Sequence, residues 1–204
     1  MNRLIGVAVL ALIFTGTSAH AEGGYFSGNL GLSSASDSDI SFAGTNLGSI
    51  SFDPGFNIGV ALGHDFGNGR AEFEIAYHYW AMDTATLSGA FAGCPCTGSV
   101  DGDASALSFM VNGYYDFHIT DSNLAPYLGV GVGLASIVYD IGGYTEGTGI
   151  LAYQLMAGVG YDISPKAALT LGYRYFTGAD AEFDDGTEVS VQAHEFNVGI
   201  RFKF

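Results

Sequence analysis

The chain has 204 residues, a formal charge of −15 at pH 7, 48% apolar residues and 31 glycines. That length fits one domain, the apolar content excludes a disordered chain, and so large an acidic excess excludes nucleic acid as a partner. Glycine this frequent without a collagen period points to a β protein rich in turns and small facing positions.

Residues 1–21 read as a secretory leader. Arg3 opens it, an apolar run spans Leu4 to Phe14, and Ala19-His20-Ala21 forms a small-x-small cleavage site. The run is shorter than the ~20 residues that cross a bilayer as a helix. The mature domain is then 22–204. No later stretch approaches a transmembrane helix, so this domain is either soluble outside the cytoplasm or crosses a membrane as strands.

Eight segments of strand character follow, near 24–33, 54–66, 70–81, 104–119, 126–136, 150–163, 167–177 and 189–204. Their connections alternate in length. "GNG" (67–69), "TDSNLA" (120–125) and "SPK" (164–166) are short, whereas 34–53, 82–103, 137–149 and 178–188 are long. An antiparallel meander puts all the short turns at one end and all the long loops at the other, the asymmetry of bacterial outer-membrane barrels.

The two faces of the strands decide between the soluble and membrane readings. One parity is continuously apolar, as in Phe56, Ile58, Val60 and Leu62, or Phe196, Val198, Ile200 and Phe202. The other mixes charge with glycine: Glu72, Glu74 and His78; Asn112, Asp116 and His118; Gly129, Gly131 and Gly133; Gly172 and Arg174. Glycine weakens a solvated strand face, but in a narrow lumen it leaves room for bulky polar neighbours. The expected fold is an all-β, eight-stranded, antiparallel up-and-down transmembrane β-barrel with the charged parity inside. The glycines of 129–133 are expected to accommodate Trp80 and Arg174. Aromatics at strand ends, such as Tyr25-Phe26, Tyr114-Tyr115 and Tyr173 to Phe176, are expected to form interfacial girdles.

At "AYQLMAGVGYDISPKAALTLGYRYF" (152–176) and the closing "FNVGIRFKF" (196–204), the chain resembles the opacity-type and surface-antigen families of small bacterial outer-membrane barrels, similar in architecture to the transmembrane domain of outer-membrane protein A. The resemblance implies that the last strand, ending in Phe202 and Phe204, is the signal read by the barrel assembly machinery. The peptidoglycan-binding domain of outer-membrane protein A is not expected here.

Charge is sorted along the chain. Arg70, Lys166, Arg201 and Lys203 fall at the expected periplasmic end and Arg174 near mid-barrel, while the four long loops contain thirteen acids and no Lys or Arg. An interior network is expected from Glu72, Glu74, His78, Asp116, Arg174, Glu195, Arg201 and Lys203, because isolated buried ions are costly. Glu72 and Glu74 are placed level with Arg201, and Arg174 and Glu195 further out. The run "DAEFDDGTE" holds Asp180, Glu182, Asp184, Asp185 and Glu188, but Asp185 stands where a calcium loop needs glycine. Loose divalent bridging from these carboxylates to anionic lipopolysaccharide is the preferred reading. Cys94 and Cys96 are candidates for a local disulfide, with free or intermolecular thiols and a metal site as alternatives.

Neither His78 nor His194 lies in a His-x-Ser motif, and GxSxG, P-loop and metal-ligand spacings are missing from the sequence. No enzyme and no cofactor are expected. The expected function is that of a surface protein of the outer membrane, reached through a signal peptide, in contact with lipid and lipopolysaccharide. It would display four acidic, mobile loops for envelope integrity, adhesion to an extracellular protein ligand, or antigen display. The alternative is a narrow porin-like channel.

Overall fold

A computed structural model describes residues 23–42, 45–87, 96–141, 143–179, 181–182, 187–189 and 191–204. Eight long strands form the wall: β1 (Gly23–Ala35), β4 (Gly55–Asp65), β5 (Gly69–Leu87), β7 (Gly102–Asp116), β8 (Leu124–Ile141), β9 (Tyr144–Ser164), β10 (Ala167–Gly178) and β13 (Gln192–Lys203). Each is antiparallel to its neighbour, and β13 pairs with β1, so the sheet closes into a ring without an edge. Following register partners once round the ring runs from Gly69 through Tyr115, Leu128, Ala157, Tyr173, Phe196, Leu32 and Phe56 to Tyr79, a climb of ten residues. The strands are therefore tilted, and register partners stand at different heights.

Local chemistry ends the strands at the narrow-turn end. Asp65 accepts a hydrogen bond from the Gly67 N–H at 2.9 Å, and Gly67 has a φ of +96° that suits glycine. Asp121, at φ +58°, occupies the left-handed region that a short polar side chain tolerates.

The opposite end departs from the expectation of mobile loops. β5, β8 and β9 run on past the sequence-predicted limits, and 137–149 becomes a hairpin with Gly143 at φ +85°. Five short strands extend the wall further: β2 (Ser38–Phe42), β3 (Thr45–Phe52), β6 (Cys96–Ser99), β11 (Ala181–Glu182) and β12 (Thr187–Val189). β3 and β6 flank the outer half of β5, and β2, β12 and β11 continue from β3. Alternation is weak in these Ser-, Thr- and Gly-rich spans, so periodicity alone does not reveal them, whereas pairing to an already extended neighbour supplies their hydrogen bonds.

The faces segregate as the period-two pattern requires. Leu32, Val130, Leu171 and Phe196 are 71, 60, 58 and 65% exposed, whereas Glu74, His78, Asn112 and Glu195 are buried at 1% or less. Polar inside and apolar outside is the arrangement of a lipid-embedded barrel. His118 is the exception on its parity, because β7 ends at Asp116 and leaves it exposed in the turn.

Candidate functional site

The lumen is built in layers from side chains of alternate positions. At the short-turn end Arg70 grips Asp116 with two bonds, Nε to Oδ2 at 2.5 Å and Nη2 to Oδ1 at 3.0 Å. Its guanidinium lies 5.8, 4.4 and 5.4 Å from the ring centres of Tyr25, Tyr114 and Tyr127, so one cation is held by a carboxylate and three aromatic faces. Arg201 lies 5.7 Å from the Tyr25 ring on the other strand wall. Lys203 sits at the rim, partly exposed, with Asp65 at 2.7 Å.

Above this plate Glu72 accepts from Tyr25 Oη at 2.9 Å, Tyr114 Oη at 2.7 Å and Asn112 Nδ2 at 3.2 Å. Three neutral donors thereby replace the water that burial removes. In the next layer Glu74 faces Arg174 Nη2 at 2.7 Å and accepts from Asn112 Nδ2 at 2.8 Å, and Arg174 Nη1 approaches Glu195 at 3.5 Å. Glu195 also accepts from Ser33 Oγ at 3.0 Å and lies 2.7 Å from His78 Nδ1. The His78 ring stacks on both Trp80 and Phe176, with centres 5.8 and 4.7 Å away.

This arrangement corrects the sequence reading in four respects. First, Glu74 meets Arg174 and not Arg201. Glu74, Ala61, Ser27 and Arg201 follow one another in register, but the tilt carries Arg201 to a lower level, beside Tyr25. Second, Arg70, at the short-turn end as expected, also joins the interior network. Third, Tyr25, Tyr114 and Phe176 point into the lumen, as Trp80 does, and not into a girdle; each shares parity with interior residues, and that parity is the signal that identifies them. Fourth, the glycines make room for tyrosines: a Cβ at Gly129 would stand 2.4 Å from the Tyr114 ring, and one at Gly172 would stand 2.4 Å from Tyr127 Oη.

Towards the outer end the lumen turns apolar. Trp80, Met110, Ile137, Ile150, Phe176 and Ala193 pack with Ile50, Met82, Tyr139 and Val191 into one buried cluster that stoppers the barrel. Between stopper and plate remains a cavity of about 70 Å³, lined by Ser27, Asn29, Thr170, Arg174 and Asn197 among others. That is space for a few waters and not for a solute.

Ser108 Oγ lies 3.1 Å from His78 Nε2, and His78 Nδ1 lies 2.7 Å from Glu195, which is the connectivity of a hydrolase triad. Ser108 is 1% exposed and also donates to the Ala76 carbonyl at 3.3 Å. A nucleophile needs an open position about 3 Å away for the reacting atom. Buried to 1%, Ser108 has no approach from solvent, and the three residues tie β7, β5 and β13 together.

The remaining candidates lie elsewhere. Phe202 faces outward, and Phe204, 77% exposed, donates its N–H to the Gly24 carbonyl at 3.0 Å. Cys96 opens β6 at the outer end, and Cys94 lies outside the described residues, as does the 1–21 leader. Glu182 and Glu188 are register partners in β11 and β12, while Asp180, Asp184 and Asp185 lie outside the described residues. Among the described residues no three His, Cys, Asp or Glu side chains converge to hold a metal ion.

Comparison with known proteins agrees with this geometry. The family model described as outer membrane protein beta-barrel domain matches residues 5–204. The chain is 30% identical over 174 residues to major surface antigen 4 of Anaplasma marginale, covering 71% of this chain and 60% of that protein. It is 25% identical over 187 residues to opacity protein opA50 of Neisseria gonorrhoeae, covering 71% of this chain and 77% of that protein. Among solved structures it superposes on Neisserial surface protein A, with a TM-score of 0.55 and 21% identity over 88% of this chain and 97% of that one. It also superposes on OprG of Pseudomonas aeruginosa, with a TM-score of 0.58 and 17% identity over 89% of this chain and 97% of that one. Sealed ring, inverted faces and family match lead to one conclusion: the chain belongs to the outer-membrane protein β-barrel domain family and is a multi-pass protein of the bacterial outer membrane.

Proposed function

We propose that this barrel is a closed platform whose business is at its outer end: it presents acidic strands and loops for contact with an extracellular protein, and conducts nothing. The observation that carries this reading is the lumen. An apolar stopper at the outer end and the Arg70–Asp116 plate at the other enclose a cavity of about 70 Å³. With transport disfavoured, the investment of sequence lies in the outer extensions, which hold thirteen acids and no Lys or Arg. Such a surface suits a basic partner and attracts divalent cations that bridge to anionic lipopolysaccharide. Similarity to opacity proteins and a surface antigen supports display. The closing Phe202 and Phe204 serve as the signal for barrel assembly, and residues 1–21 as the removable leader.

The test is replacement of 34–53 and 178–188 by short turns. The trimmed barrel should keep heat-modifiable mobility in detergent and lose attachment to host cells or matrix proteins. Undiminished attachment would refute the display reading. Large, steady conductance of the full barrel in a planar bilayer would establish the channel alternative.

A further inference from the structure

On β1, β13 and β10 the outward face changes from apolar to polar towards the outer end of the barrel. Ser34, His194 and Tyr175 are register partners across β1, β13 and β10. Towards mid-membrane Leu32, Phe196 and Tyr173 follow on the same face, and towards the outside Gln192 and Thr177. Within this row lies a built cluster. Tyr173 Oη is 2.6 Å from His194 Nδ1, Tyr175 Oη donates to Gln192 Oε1 at 3.1 Å, and the imidazole lies against both rings, with centres 6.0 and 5.3 Å away.

The hydrogen bonds in this cluster leave donors unspent. If Tyr173 donates to Nδ1, the imidazole carries its proton on Nε2; if Nδ1 carries the proton, the Tyr173 hydroxyl hydrogen is left over. Gln192 accepts at Oε1 and keeps its amide N–H groups. Neither donor has a partner among the described residues. An aromatic belt needs only amphipathic rings, whereas here two donors stand beside aromatic faces at the outer end of the apolar belt. Flat rings suit the C–H face of a sugar, and the donors suit the oxygens of a phosphate.

We propose that Tyr173, His194, Tyr175 and Gln192 form a binding site for the phosphorylated sugar headgroup of an outer-leaflet glycolipid. The site is independent of the loops: it anchors lipid beside β10 and β13 while the extensions above remain free for a protein partner.

The experiment uses the full mature barrel refolded into nanodiscs of phosphatidylcholine containing lipid A as the minor component. Retained lipid is counted by native mass spectrometry after mild detergent extraction. The wild type should retain lipid A in preference to phosphatidylcholine, and H194A/Q192A should lose about tenfold of that preference, equivalent to about 1.4 kcal/mol. H64A, which alters an exposed imidazole at the other end of the barrel, should retain it. Q192E, which exchanges the amide donor for a like-charged carboxylate, gives the same loss should the double variant refold poorly. Equal retention by wild type and variants, or of lipid A and its dephosphorylated form, would overturn the assignment. Attachment that survives replacement of the loops, with lipid A retention intact, would count against the display reading only.

Discussion

Replacing Arg174 by methionine tests whether the lumen network holds the barrel together. The guanidinium faces Glu74 at 2.7 Å and Glu195 at 3.5 Å, and both carboxylates are buried to 1% or less. In Arg174→Met, Glu195 keeps His78 and Ser33. Glu74 keeps Asn112 Nδ2 at 2.8 Å and a long contact to Gln154 Nε2 at 3.5 Å. It becomes a buried charge without its counter-ion, and stranding one member of a buried pair costs about 3–5 kcal/mol. Removing the stranded carboxylate as well, in Glu74→Leu with Arg174→Met, should return stability to within ~1–2 kcal/mol of wild type, since an apolar pair of similar volume is often neutral. The assay is urea unfolding in phospholipid vesicles, followed by tryptophan fluorescence. Trp80 is the single tryptophan and bonds Ser33, itself bonded to Glu195, so it reports from the same layer. A loss below ~1 kcal/mol for the single variant, the range of an unremarkable surface change, would refute the reasoning. So would a double variant less stable than the single one.

Further outcomes follow from the same geometry. Val198 faces lipid, 58% exposed, in register with Leu30 and Leu171; Val198→Arg should cost about 2–4 kcal/mol in vesicles, as for cations at the bilayer midplane, and Val198→Leu less than ~1.5 kcal/mol. Arg70→Lys cannot grip both Asp116 oxygens or lie flat on the tyrosines, and should lose about 1–3 kcal/mol in the same unfolding assay. In planar bilayers the wild type should show no large steady current, and neither should Trp80→Ala with Phe176→Ala, because the Arg70–Asp116 plate and the Glu74–Arg174 layer still fill the lumen; a large steady current from either would refute the closed lumen. Deleting Phe204 should reduce the yield of folded barrel in cells more than in detergent refolding, as measured by heat-modifiable mobility.

The sequence by itself determined the wall. Strict alternation in stretches such as 195–204 settles which side chains share a face, because successive residues of a strand point oppositely whatever lies around them. Glycine mixed with charge on one parity, and turns alternating between short and long, then settle which face is inside. Residues such as Glu74, His78, Arg174 and Glu195 were legible as interior for that reason. Their partners were not. Sequence places Glu74 level with Arg201 and leaves Arg70 out of the interior network, because neither the ten-residue climb round the ring nor contacts across the lumen leave a trace in local periodicity.

Tertiary structure alone decided four things. Tyr25, Tyr114 and Tyr127 close round Arg70 because glycines on neighbouring strands leave them space. Trp80, Phe176 and the outer extensions of β5, β8 and β9 join residues far apart in the chain into an apolar stopper. The long spans 34–53 and 82–103 acquire strands where backbone groups find an extended neighbour to pair with. His194 gains Tyr173 and Tyr175 as neighbours because β10 runs beside β13 in that register. Each depends on strand order, tilt and register, which are set by the closure of the whole sheet.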